Sequence, residues 1–218
     1  MTALRFRLAG FPVEILPNAL VLAGVFFLLG LSWGWSLPLI LAMIGIAIGS
    51  VLFHELGHAT VAKLFRLEPI EITLHGFGGL TRHAPSPSAG RDLVIILAGP
   101  GFGMILAGLG FAATLAPWPP ALHQVFHQLV FLNILWSVFN LLPIFPLDGG
   151  QALSAFLRLF LAPTLAWGIT WGLGFLGALA LAVYALLGQE LFVLFFAGMF
   201  AWQNLQMLRV LRGRSQKS

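Results

Sequence analysis

The sequence predicts an all-α polytopic membrane protein with about six transmembrane helices and a small membrane-associated β element. Hydrophobic residues make up 59% of the 218-residue chain, charged residues only 8%, and the mean hydropathy is +0.97. Soluble domains carry about 25% charged residues, so this composition indicates a membrane protein. Six segments are also long and apolar enough to span a bilayer, which takes about 20 residues each.

The predicted elements follow one another without an internal repeat. The six spans are roughly residues 18–35, 38–63, 92–116, 123–142, 163–187 and 190–209. The stretch LPIFPLDGGQALSAFLRLFLA between the fourth and fifth spans is interrupted by Pro143 and Pro146, so it is not predicted to cross. RFRLAGFPVEI and LEPIEITLHGFGGLTRH have strand patterns with glycine turns. Because strand edges cannot face lipid, we expect these two stretches to pair together, lie at the interface or line a wet cavity.

The basic residues predict an orientation. In a six-span map all eleven Lys and Arg residues fall on one side, at the two termini and in the loops after spans two and four. Loops rich in Lys and Arg face the cytoplasm, so both termini and the 63–91 loop are predicted to be cytoplasmic in the cell membrane. The basic residues form no patch among aromatic residues. We therefore expect the lipid bilayer and not nucleic acid as the partner, despite a pI of 10.7.

Residues 54–58 read HELGH in the middle of the second predicted span. In a helix His54 and His58 lie on one face, about 5–6 Å apart at Cβ, so their imidazoles can hold one metal ion. Glu55 lies beside the first ligand and can act as a general base. With six histidines and seven acidic residues, chance would produce such a motif about 0.005 times. The alternative is a pair of interfacial histidines, but ionisable groups at mid-span usually mark a functional site.

The same helix carries Gly45 and Gly49, a G-x-x-x-G pair typical of close packing in membranes. Each glycine precedes one of the two histidines by nine residues, which at 100° per residue places the two pairs about 180° apart. We therefore expect the glycines to pack against a neighbouring helix while the histidines face the opposite way.

A catalytic zinc site has three protein ligands and one open position, so an acid or histidine elsewhere must complete it. Among the remaining acidic residues only Asp148, in NLLPIFPLDGG, has a strongly apolar setting. His54 precedes a lysine by nine residues, and Asp148 precedes an arginine by ten. If both stretches are helical, each site lies roughly 14–15 Å from a basic anchor. The two motifs are thus predicted at one depth, within the bilayer toward the cytoplasmic side.

These motifs resemble the site-2 protease family of intramembrane zinc metalloproteases. The family signatures H-E-x-x-H and N-x-x-P-x-x-x-x-D-G are both complete, in HELGH at 54–58 and NLLPIFPLDG at 140–149. AGPGFGM at 98–104 resembles the stretch that opens the family's next span, although the asparagine common a few residues later is absent. HGFGGLTRH and GFPVEI resemble its membrane-associated β-loop and its N-terminal strand.

The resemblance implies one zinc ion per chain, bound by His54, His58 and Asp148, with Glu55 as base and proton shuttle. It implies that Asn140 binds substrate backbone or helps to hold the developing oxyanion. The implied activity is that of a zinc metalloendopeptidase that cleaves peptide bonds in or near transmembrane segments of other membrane proteins, as in regulated intramembrane proteolysis. Transmembrane segments of substrates are therefore the expected partners, and the oligomeric state stays open.

The domain organisation is predicted to be simple. The 63–91 loop has no room for a PDZ domain, and no nucleotide-sensing domain follows the sixth span. Residues 1–218 are therefore predicted to form a single intramembrane metalloprotease domain, with a catalytic core of roughly residues 38–160.

Two other functions are compatible with a membrane metal site. A metal transporter would need polar ligands across the whole depth of the bilayer, whereas here they cluster at one depth. An inactive scaffold that binds transmembrane segments would not need Glu55, which is intact. The other histidines have weaker assignments: His123 and His127 are expected at the interface, and His75 and His83 in loop packing.

Overall fold

The computed structural model describes residues 3–76 and 78–215, which form seven α-helices and four β-strands. The helices are α1 (Leu20–Ser32), α2 (Leu37–Leu64), α3 (Ala89–Thr114), α4 (Pro120–Asn140), α5 (Asp148–Leu157), α6 (Pro163–Leu187) and α7 (Leu191–Ser215). The strands are β1 (Leu4–Leu8), β2 (Phe11–Ile15), β3 (Glu71–His75) and β4 (Gly78–Arg82). This confirms the predicted fold class, a helical protein with a small β element.

Five of the described helices are long and apolar enough to cross a membrane: α2, α3, α4, α6 and α7. Each begins within three residues of its predicted start. The first predicted span is a shorter apolar helix, Pro17–Ser32, which at 1.5 Å per residue is about 24 Å long against a hydrocarbon core of about 30 Å. The chain is a multi-pass membrane protein, and six is an approximate number of spans.

Proline explains several helix boundaries. α4 begins at Pro120, α6 begins at Pro163, and α2 has a proline in its first turn. The first turn of a helix has no intrahelical partner for its N–H groups, so proline is tolerated there. Pro143 and Pro146 instead lie between α4 and α5 and keep the two helices apart. The segment after α4 is therefore no span, as predicted, and contains only the ten-residue α5.

The two predicted strand regions pair with each other in one sheet of order β1-β2-β3-β4. The first and last pairs are antiparallel hairpins, and β2 runs parallel to β3 with Val13 opposite Ile72. A parallel pair needs a long crossover connection, and here α1 and α2 supply it. The first hairpin turns at Ala9 and Gly10, both with positive φ, as a type I′ turn requires.

The chain divides into two compact units. The first, residues 1–86 and 98–138, has a core of Met43 and Ala47 on α2 with Leu132 on α4. The second, residues 87–97 and 139–218, has a core that includes Ile144, Ala178 and Phe200. In the second unit α6 buries a small residue at every fourth position, and such a face lets a neighbouring helix approach closely. These residues are Ala166, Thr170, Gly174 and Ala178.

Of the two predictions for the glycines of α2, their position on the helix is right and their packing is wrong. Gly45 and Gly49 are exposed, on the face opposite the buried histidines. The prediction that they pack against a neighbouring helix is wrong within this chain, because a Cβ added at either position would meet nothing within 4 Å. The close approach uses Gly57 instead, where an added Cβ would lie 2.9 Å from the ring of Phe102 on α3. α2 therefore packs through the face that bears the functional residues, which buries them.

Candidate metal centre

Helix α2 brings two imidazoles to one point. His54 and His58 are one turn apart, and their Nε2 atoms are 3.2 Å from each other. Both residues are buried: His54 is 3% exposed and His58 is 8% exposed. Two nitrogens that each lie about 2.0–2.1 Å from one tetrahedral zinc ion would be about 3.3–3.4 Å apart. The pair is thus spaced as two ligands of a single ion.

Helix α3 passes directly in front of these two rings at Gly99. A Cβ added there would lie 2.7 Å from Nε2 of His54 and closer still to Nε2 of His58. Only a glycine leaves this space open beside both nitrogens. The glycine in the stretch AGPGFGM at 98–104 therefore keeps side-chain atoms away from the two ring nitrogens that are the predicted metal ligands.

Glu55 turns toward the sheet. It is 5% exposed, and its Oε2 accepts a hydrogen bond of 2.7 Å from Oγ1 of Thr81 on β4. A Cβ added at Gly79, two residues earlier on β4, would lie 2.5 Å from Oε1. The carboxylate of the predicted base is therefore buried against β4. The sequence LEPIEITLHGFGGLTRH predicts a strand and a glycine turn but does not single out Thr81, because nothing in a strand pattern indicates which helix a strand residue will meet.

Asp148 is the first residue of α5 and is 9% exposed. The two glycines after it are needed for close backbone contact with residues 141–145. A Cβ added at Gly149 would collide with the carbonyl groups of residues 141 and 142, and one at Gly150 would lie 2.5 Å from the backbone nitrogen of Phe145. The D-G-G sequence thus lets the first turn of α5 lie directly on the preceding loop.

The carbonyl groups of that loop have side-chain donors. Nδ2 of Asn204 on α7 donates to the carbonyl oxygen of Phe145 at 2.7 Å, and Nε2 of Gln151 donates to that of Pro146 at 2.9 Å. This satisfies backbone groups that the proline-rich segment leaves outside a helix, as burial in an apolar setting requires. Asn204 lies 56 positions after Asp148, and the sequence offered no sign of its contribution.

Two of the three predicted ligands, His54 and His58, come together on α2. The third, Asp148, begins α5 in the second compact unit. Two histidines and a carboxylate are a donor set that zinc accepts in catalytic sites, with a fourth position left for water or substrate. The residues present therefore fit a zinc ion.

The remaining predicted residues have different positions. Asn140 is the half-buried last residue of α4, eight positions before Asp148. His123 and His127 lie in the first turns of α4, with their rings stacked at 6.2 Å between centroids. Nδ1 of His83 is 2.7 Å from the carbonyl oxygen of Ala84. The role of Asn140 and the interfacial or loop roles of the histidines stay predictions.

The fold and the metal centre define a class, the multi-pass membrane proteins built around an H-E-x-x-H metal site. Residues 41–119 match the profile of Peptidase family M50. The chain is 31% identical to a putative zinc metalloprotease of Synechocystis sp. over 164 residues, which cover 68% of this chain and 42% of that protein. It is 30% identical to a zinc metalloprotease of Methanocaldococcus jannaschii over 161 residues, 70% of this chain and 44% of that protein.

The fold itself has a solved counterpart. The structure of the site-2 protease from Methanocaldococcus jannaschii superposes with a TM-score of 0.68 and 24% identity, over 95% of both chains. The chain belongs to the site-2 protease family. The matched regions make up less than half the length of the two curated relatives.

Proposed function

We propose that this protein is a zinc-dependent intramembrane endopeptidase that hydrolyses peptide bonds in or near transmembrane segments of other membrane proteins. The observation that carries the proposal is the pair of buried imidazoles on α2, 3.2 Å apart at Nε2, with a buried glutamate next to the first of them. The helix that bears them is long and apolar enough to cross a membrane. Relatives named zinc metalloproteases support the same reaction class.

His54, His58 and Asp148 are the proposed ligands of one zinc ion per chain. Their donor chemistry and the space kept open at Gly99 support this assignment. A bound zinc ion would act as a Lewis acid toward the scissile carbonyl and would make water more acidic, so that hydrolysis proceeds at neutral pH.

Glu55 is the proposed general base. Its carboxylate takes a proton from the attacking water as the new C–O bond forms, and it delivers that proton to the leaving nitrogen as the C–N bond breaks. Asn140 is proposed to donate its side-chain N–H to the substrate backbone or to the oxygen that gains negative charge. Burial of Glu55 among protein groups keeps bulk water from competing for the proton.

The substrate segment is proposed to bind in an extended form. The amide groups of a helix are already hydrogen-bonded, so the segment must unwind before its backbone can enter the site. Strand β4 lies at the edge of the four-stranded sheet and directly beside Glu55. An exposed strand edge binds an extended peptide through main-chain hydrogen bonds.

The direct test is proteolysis by the purified protein. It should cut members of a panel of single-span substrates within or next to the span, lose this activity after treatment with a zinc chelator, and recover it when zinc is added back. Removal of zinc takes away the Lewis acid and should abolish cleavage, not merely slow it. Mass spectrometry of the products locates the cuts. Cleavage that persists in the chelated protein, or an absence of cleavage across a broad panel, would contradict the proposal.

Both termini and the 63–91 loop are proposed to face the cytoplasm, with the metal centre in the bilayer toward the same side. The one-sided distribution of Lys and Arg supports this. The chain has no native cysteine, so single cysteines report topology cleanly. In intact cells Ser86→Cys should resist a membrane-impermeant thiol reagent and Ala121→Cys should react. Ser86→Cys should react once the cells are permeabilised; labelling of Ser86→Cys but not Ala121→Cys in intact cells would reverse the orientation.

A further inference from the structure

We propose that Thr81 is a positioning residue for the general base: its hydroxyl holds the carboxylate of Glu55 in the orientation from which the proton is transferred. The inference rests on the proposed function, since it concerns the same site. Oγ1 of Thr81 is 2.7 Å from Oε2 of Glu55 and 3.1 Å from the backbone oxygen of the same residue. Of these two acceptors, the carboxylate oxygen is the closer and the charged one, and bonds to charged groups are the stronger.

The position of Thr81 within the sheet makes the contact unusual. Alternate residues of a strand share a face, so Gly79 and Thr81 both point toward α2 while Leu80 points away and is 41% exposed. The residues opposite them on β3 are Leu74 and Ile72, which are both buried. Packing alone would favour an apolar side chain at position 81 on this face. A hydroxyl is found there, and it bonds to the carboxylate of Glu55.

Gly79 completes the arrangement. An added Cβ at this position would lie 2.5 Å from Oε1 and 2.6 Å from Cδ of Glu55, so the strand backbone itself touches the carboxylate. One oxygen is thus bonded to Thr81, and the other lies against the backbone at Gly79. A carboxylate held in this way loses little freedom when it takes the proton, which is how a preoriented group accelerates a reaction.

Two substitutions separate the hydroxyl from the shape of the side chain. Thr81→Val keeps the branched shape and removes the donor, whereas Thr81→Ser keeps the donor and removes a methyl group. If the hydroxyl positions Glu55, Thr81→Val should lower kcat for a single-span substrate by about 10–100-fold, the range typical of outer-shell partners in metal sites. The KM and the zinc content should stay near those of the wild type, and Thr81→Ser should restore most of kcat.

Thr73→Val is the matched control, because Thr73 is a half-buried threonine on the neighbouring strand β3. It should leave kcat unchanged. A merely structural role for position 81 predicts the reverse order, with valine tolerated and serine harmful. The inference is overturned if Thr81→Val has wild-type kcat, if the serine variant is as impaired as the valine variant, if Thr73→Val is equally impaired, or if Thr81→Val raises kcat.

A spectroscopic measurement tests the hydrogen bond without catalysis. The carboxylate band of Glu55 can be isolated as the infrared difference between wild type and Glu55→Gln, both labelled with ¹³C-glutamate. This band should shift in Thr81→Val and keep its position in Thr81→Ser, because the frequency reports the donor. An unchanged band in Thr81→Val overturns the inference even if no substrate is cleaved, whereas a failure of the wild type to cleave counts only against the proposed protease function.

Discussion

Replacement of Glu55 by glutamine is expected to lower peptide cleavage by about 10²–10⁴-fold, the usual contribution of a general acid–base group. Glutamine keeps the shape of the side chain and can still meet the hydroxyl of Thr81, but it cannot take a proton from water. Zinc content and folding should stay at wild-type levels, because Glu55 lies beside a proposed ligand without being one. The measurement is the rate of cleavage of a single-span substrate by the two proteins at matched zinc content.

Glu71→Gln provides the control for that experiment, since it makes the same chemical change at an exposed residue of β3. It should cleave at the wild-type rate. Equal cleavage by wild type and Glu55→Gln would refute the role of Glu55 as base. Glu55→Gln also separates the protease from the two alternative functions. A metal transporter would keep its metal flux or change it only modestly, and a scaffold would keep its binding of transmembrane segments.

The second large effect concerns the metal. Asp148→Asn should weaken zinc binding, because a neutral amide is a poorer zinc ligand than a carboxylate. Replacing a residue that only supports a ligand typically costs about 10–100-fold in metal affinity, so replacing a ligand should cost at least as much. Combined His54→Ala and Asp148→Ala substitutions leave one proposed ligand and should abolish stoichiometric binding. Metal analysis of purified protein after dialysis against a chelator of known affinity measures both, with an expected wild-type value of about one zinc per chain.

An acid-to-amide change elsewhere controls for general damage. Glu190→Gln alters an exposed residue before α7 and should keep its zinc. A full complement of zinc in the His54→Ala, Asp148→Ala double variant would place the metal at other residues. Circular dichroism of each variant shows whether a lost metal reflects a lost ligand or a lost fold.

Much of this site was predictable because its geometry is local. His54 and His58 face one another through helical periodicity alone, so the motif sufficed to predict the pair, and 3.2 Å between their nitrogens agrees with it. Helix positions were predictable for a similar reason, since twenty apolar residues in sequence leave the backbone few alternatives in lipid. The apolar setting of Asp148 in the sequence predicts its burial, and the residue is 9% exposed; its role as a ligand stays a prediction.

Other features depend on packing between distant segments, which no local pattern specifies. The face of α2 that packs closely was predicted to bear Gly45 and Gly49, yet the contacts form at Gly57, because helix packing is decided by what the neighbouring helix presents. The parallel pairing of β2 with β3 across two helices was one of several open arrangements.

The sequence by itself thus determined the class of membrane protein, which follows from composition. It also predicted the pair of histidines and the base from helical spacing, and the third ligand from its apolar setting and the family resemblance. Only the tertiary structure decided what surrounds them: Gly99 before the two imidazoles, Thr81 on the carboxylate of Glu55, and Asn204 on the loop that leads to Asp148. The physical reason is the distance along the chain over which each effect acts. Backbone periodicity acts over a few residues, whereas a hydrogen bond between a strand and a helix exists only after both have been brought together by the fold.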